Sequence, residues 1–183
     1  MMQKDIHRWI EEIRRYNRLL HLVSENMIGD LEDNVCNTMK LLEHIHEPAI
    51  ADLGSGSGLP AIPYKIMYPE SSVTMIERSQ KKCTFLRHII DTLKLEDIFL
   101  IEEDPLTGET KRFDALMSRA FSPLMTLGRL AIKTARPGSR LYYLYTGRHN
   151  PLQNQPFFLI NHLEHQFNKY TMNLDIYEII SRQ

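Results

Sequence analysis

The chain has 183 residues, 43% of them apolar, with 22 basic and 23 acidic side chains. That length supports one α/β domain with its own hydrophobic core and excludes two full-sized domains; the composition excludes a disordered chain. A charge near zero excludes a uniformly basic nucleic-acid binder, but leaves room for a local basic patch.

Residues 3–22 place Ile6, Trp9, Ile10, Ile13, Tyr16 and Leu20 three and four apart, the period of an amphipathic helix. A second such pattern runs from Leu31 to His44. Both helices are expected to pack on the main domain, because isolated helices of that length are marginal in water. The expected division is a helical extension, 1–46, before an α/β domain, 47–183. Strands are expected at Ala49–Leu53, Ser72–Glu77, Ile98–Ile101, Phe113–Ser118 and Ser139–Tyr145. Helices are expected over 59–67, 79–93 and 123–135, the last stopped by Pro137-Gly138. The tail segments 156–164 and 173–180 read as two short strands closing one sheet edge. Strands alternating with helices imply βαβ units, right-handed crossovers and a mostly parallel, Rossmann-like sheet.

Two cysteines, Cys36 and Cys83, fit a reduced compartment and lack close-spaced zinc partners. His44 with His46, and His162 with His165, have no third ligand in sequence and read as ordinary surface histidines. The expectation is therefore no metal. The charged start, MMQKDIHRWIEEIRR, does not read as a signal peptide, and no apolar run approaches membrane-spanning length; cytoplasm without a membrane partner is expected.

The sharpest feature is ADLGSGSGLPAIP, from Ala51 to Pro63. Gly54, Gly56 and Gly58 stand between a strand and a helix. Glycine tolerates positive φ and lets backbone amides approach a ligand, while the following helix offers unpaired N–H groups. The next strand ends in Glu77, where a carboxylate can accept ribose hydroxyls. A purely structural turn is the competing reading of the glycines; the acidic strand end favours a nucleoside cofactor. Leu59 stands where a dinucleotide fingerprint has its third glycine, and no GxxxxGK[ST] loop is present. An acid before the triple glycine is the pattern of S-adenosylmethionine-dependent methyltransferases. Asp52 supplies it, either to orient the loop or to face the methionine ammonium.

The run Gly54-Ser55-Gly56-Ser57-Gly58-Leu59-Pro60-Ala61-Ile62-Pro63, with Glu77, Lys81-Lys82, Phe85-Leu86, Phe113-Asp114 and Ser118-Arg119-Ala120, resembles the ribosomal small-subunit methyltransferase G family. That family is also called glucose-inhibited division protein B. The likeness covers about residues 9–148 and includes Tyr16-Asn17. It implies a Rossmann-like α/β methyltransferase fold with a helical N-terminal cap. It also implies methyl transfer from S-adenosyl-L-methionine to N7 of a guanine in 16S ribosomal RNA, free or in a small-subunit particle, by a monomer or weak homo-oligomer. By position, the resemblance assigns Gly54 and Leu59 to the methionine side, Glu77 to the ribose, and Asp104-Pro105-Leu106 to the adenine. Asp52, Ser55, Gly56 and Gly58 complete the expected cofactor set. Arg119 is expected at the mouth as a positioning group, with a strand-end salt bridge to Asp114 as its structural alternative. No acid/base residue is assigned.

The chain departs from the family pattern at His21-Leu22-Val23, Asn34-Val35-Cys36-Asn37-Thr38, Asp104-Pro105-Leu106 and Tyr145-Thr146-Gly147. Arg148 stands beside the place of a missing lysine, with different reach and geometry. These changes keep two alternatives open: a methyltransferase of another substrate, and a non-catalytic cofactor- or RNA-binding relative. Arg14, Arg15 and Arg18, and separately Lys81 and Lys82, read equally as phosphate contacts or solvated helix faces.

Overall fold

The computed structural model describes residues 2–104, 111–119, 124–148, 151–152, 156–167 and 170–180. Its elements run α1 (Met2–Leu20), α2 (Glu25–Gly29), α3 (Leu31–Leu42), β1 (Ala49–Leu53), α4 (Ala61–Met67), β2 (Ser72–Ile76), α5 (Gln80–Leu93), β3 (Ile98–Ile101), β4 (Phe113–Arg119), α6 (Leu124–Thr134), β5 (Ala135–Thr146), β6 (Phe157–Gln166) and β7 (Thr171–Ile179).

The seven strands form one sheet in the order β3-β2-β1-β4-β5-β7-β6. β1 pairs in parallel with β2 and β4, β2 with β3, and β4 with β5; β7 is antiparallel to both β5 and β6. The strand order reverses direction at β1, so the crevice beyond the carboxyl ends of β1 and β4 is where an open α/β sheet takes ligands. The expected α/β, Rossmann-like, mostly parallel sheet is the observed architecture.

Helices cover both faces. On one, Trp9 and Ile13 of α1, Leu31 of α3, Ile62 of α4 and Phe85 of α5 join Val73, Met75 and Tyr142 in a single buried cluster. On the other, Leu127, Leu130 and Ala131 of α6 pack on Leu53, Leu116, Tyr143 and Tyr145. The tyrosines of β5 thus divide between the faces by strand alternation. Among the described residues, no helix is long and apolar enough to cross a membrane.

Three local departures have physical causes. The one-turn α2 is too short for periodicity to reveal; its start is marked by the Ser24 hydroxyl accepting the Met27 N–H at 3.3 Å. β5 begins at Ala135, before Pro137, because the irregular pairing between Phe113↔Ala135 and Ala115↔Arg140 takes up the Pro-Gly segment. The tail strands are not short: β6 has ten residues and β7 nine, since β7 is paired on both sides.

Candidate ligand cradle

The cradle grows from the end of β1. All three glycines have positive φ: 77° at Gly54, 57° at Gly56 and 92° at Gly58. The bend is pinned to the neighbouring strand, because the N–H groups of Gly54 and Ser55 both donate to the Ile76 carbonyl, at 2.9 and 3.2 Å. It closes with Gly58 N–H donating to Ser55 O, and α4 starts with Ile62 N–H donating to Gly58 O, both at 2.7 Å. A Cβ on Gly58 would lie 2.5 Å from Ile62 Cγ1, so this glycine permits close helix packing. A Cβ on Gly56 would meet only Gly54 O, at 3.8 Å, leaving space beside that backbone.

Glu77 follows β2 and reaches this bend directly. Its Oε2 accepts the Gly56 N–H at 2.9 Å, and its Oε1 accepts the Ser79 N–H at 2.8 Å. The side chain is 7% exposed. A carboxylate offers about four lone-pair positions, so each oxygen keeps capacity for one further donor. The bend and the acid are therefore one hydrogen-bonded surface.

Asp52 sits inside β1, fully buried, between Met75 of β2 and Met117 of β4 in register. Neither carboxylate oxygen has a hydrogen-bond partner among the described residues. Burial pushes its pKa up to about 7; the nearby Ser55 hydroxyl opposes this and the Glu77 charge adds to it. Ser55 Oγ itself donates to the Asp52 backbone carbonyl at 3.2 Å. A buried, unpartnered carboxyl beside an open glycine bend fits a ligand bearing a cationic donor.

Arg119 ends β4, two residues beyond the Asp52–Met117 pair. Its Nη2 donates to Asn34 Oδ1 at 2.9 Å, and Nη1 lies 3.8 Å from Met27 Sδ. Burial lowers its pKa to about 10, so it stays cationic at neutral pH. The alternative of a salt bridge to Asp114 is not what forms: Asp114 pairs instead with Arg136 at 2.6 Å. The adjacent Ser118 hydroxyl donates to Leu53 O at 2.9 Å, tying β4 to the end of β1.

Leu59 is 7% exposed and belongs to the α1-side core. Asp104 follows β3, with an oxygen 3.9 Å from Arg78 Nη1. Pro105, Leu106 and Ala120 lie outside the described residues. The sequence reading missed that Trp9 of α1 donates its indole N–H to Ser57 O at 3.1 Å, from 48 residues away. No local pattern announces such a contact. Ser79, expected as the first residue of the 79–93 helix, instead stands just before α5 as its N-cap and donates its N–H to Glu77.

The strand order and glycine cradle define a class, the Rossmann-like fold of S-adenosylmethionine-dependent methyltransferases. Among solved structures, M. jannaschii TYW2 in complex with AdoMet superposes with a TM-score of 0.60 at 16% identity, over 80% of this chain and 76% of that one. The profile of rRNA small subunit methyltransferase G (GidB) matches residues 2–165, and the chain belongs to that family of methyltransferases. The Ribosomal RNA small subunit methyltransferase G of Polynucleobacter asymbioticus is 32% identical over 154 residues, spanning 79% of this chain and 69% of that protein. The protein of the same name from Nitrosomonas eutropha is 34% identical over 126 residues, 68% of this chain and 59% of that protein.

Proposed function

We propose that this protein transfers a methyl group from S-adenosyl-L-methionine to N7 of a guanine in 16S ribosomal RNA. The observation that carries the reading is the 2.9 Å contact between Gly56 N–H and Glu77, which joins the glycine bend to a sugar acceptor. In this reading Gly54, Ser55, Gly56, Gly58 and Leu59 bound the methionine side. Glu77 accepts the two ribose hydroxyls, and Asp52 faces the ammonium, directly or through one water. Asp104, Pro105 and Leu106 run along the adenine. Residues 1–46 serve as a helical extension docked on a methyltransferase domain of residues 47–183. A small-subunit particle or its RNA is the partner.

When bound, the cofactor supplies an electrophilic sulfonium methyl. Guanine N7 has a free lone pair, so the chain need not remove a proton before attack. Its work is alignment and exclusion of water. Arg119 is a positioning residue: a half-buried cation with neutral partners Asn34 and Met27, suited to an anionic group of cofactor or RNA.

The test is incubation of the purified protein with methyl-labelled S-adenosylmethionine and unmodified small-subunit RNA or particles, followed by nuclease digestion and mass spectrometry. The expected product is 7-methylguanosine. Cofactor binding without 7-methylguanosine, where a family control is active, overturns the RNA reading; methylation of another substrate class replaces it.

A further inference from the structure

Two basic segments 64 residues apart in sequence meet at one groove. Arg14 and Arg18 lie one helical turn apart on α1, with His21 continuing that face beyond its end. Lys82 enters from the first turn of α5. α1 and α5 are held together by His88 Nε2 and Glu12 Oε2 at 2.6 Å, and by Tyr16 packed edge-on against Phe85. The groove opens beyond that crossing. Its volume is about 800 Å³, with Leu22, Val23 and Ile28 supplying apolar wall.

Charge is concentrated there. The chain carries a formal net charge of −1, yet this groove has three permanent cations against one lining acid, Glu25. Arg14 is held by Glu32 at 3.0 Å, whereas Arg18 and Lys82 form no ion pair among the described residues. His21 turns the chain at φ 48°; its N–H donates to Asn17 O and the Val23 N–H donates to Asn17 Oδ1, both at 2.9 Å. A non-glycine residue held in that region marks a shape fixed by its surroundings.

The groove also borders the cradle. Lys82, in the first turn of α5, is five residues past Glu77, which opens the β2–α5 connection. Ile28 lines the groove from α2, whose Met27 touches Arg119. The geometry points to this groove as the seat of the RNA backbone that flanks the target nucleotide, a conclusion that rests on the RNA reading above. Arg18 and Lys82 contact phosphates, and the apolar wall receives a ribose or an unstacked base. A single phosphate does not need about 800 Å³, a volume in the range of whole-ligand sites.

The experiment compares the wild type with Arg18→Gln/Lys82→Gln, with Lys4→Gln at the far end of α1 as the surface-charge control. Binding of transcribed small-subunit RNA is measured from 50 to 300 mM salt, and cofactor binding by calorimetry. The double variant is expected to retain wild-type cofactor affinity. It should bind RNA about tenfold more weakly, with a salt slope smaller by roughly 1.4, two contacts at about 0.7 each for single strands. Arg18→Glu/Lys82→Glu should weaken RNA binding further, and Lys4→Gln should leave both unchanged. Unchanged RNA affinity and slope in a double variant that still binds cofactor overturn the groove while leaving the methyltransfer reading intact. Wild type that binds cofactor but no RNA overturns both. A groove that holds polyglutamate with the same charge dependence, but not RNA, belongs to an acidic protein partner and also overturns the proposal.

Discussion

Replacing Asp52 with asparagine keeps the shape of the buried group and removes its ionisation. The carboxyl titrates near 3.8 in an unfolded chain and at about 7 in the fold. Between those values the folded protein holds a proton that the unfolded chain has released, so stability falls as pH rises through that window. The distance from 3.8 to about 7 limits the effect to about 4 kcal/mol. Near pH 4 both wild type and Asp52→Asn present a neutral group, and their ligand-free stabilities should agree within about 1 kcal/mol. At pH 8 only the wild type has an unpaired buried charge, and the variant should be the more stable by a margin approaching that limit. The assay is denaturant unfolding of both proteins at intervals from pH 4 to 8 without ligand. Comparison of the two removes every titration they share. The same substitution should weaken S-adenosylmethionine binding by roughly 10- to 100-fold at pH 8, the size of a lost charge-assisted hydrogen bond. A stability difference that does not grow with pH refutes the burial argument. Wild-type cofactor affinity in the stabilised variant refutes the ammonium assignment.

Glu77→Gln should cut cofactor affinity by at least about tenfold in calorimetry, because one acceptor oxygen is exchanged for an amide that opposes a backbone donor. Gly58→Ala forces a Cβ to 2.5 Å from Ile62 Cγ1 at φ 92°, and should cost about 1–3 kcal/mol in denaturant unfolding. Gly138→Ala has positive φ but nothing within 4 Å of the added Cβ, so it should cost less than Gly58→Ala. Trp9→Phe leaves Ser57 O without its indole donor and should lower stability by about 1–3 kcal/mol on the same measure.

The alternating elements were legible because they obey short-range rules. Leu53, three glycines and Pro60 mark a strand, a bend and a helix start within eight residues. Glu77 stands at the next strand end, and contact with Gly56 follows once the two strands are parallel neighbours. The environment of Asp52 was not legible: its lack of partners depends on β2 and β4 closing over it from both sides. Arg119 offered Asp114 as a neighbour in sequence, but these positions are five apart on β4, and Asn34 of α3 is the group that reaches it. The basic segments on α1 and α5 had no reason to be read together until the helix crossing joined them. The segment 156–164 places β6 to within two residues of its observed ends at Phe157 and Gln166, whereas its irregular pairing with β7 between Leu159 and Asn161 depends on the partner strand and has no mark in the sequence.

Trp9 is the only tryptophan in the chain, has no solvent exposure, and binds the backbone of the cradle itself. The protein therefore contains a built-in fluorophore attached to the glycine bend. Emission wavelength and quenching at that one site report whether the bend shifts as an adenosyl compound arrives. No dye, tag or engineered label is needed to follow that event in real time.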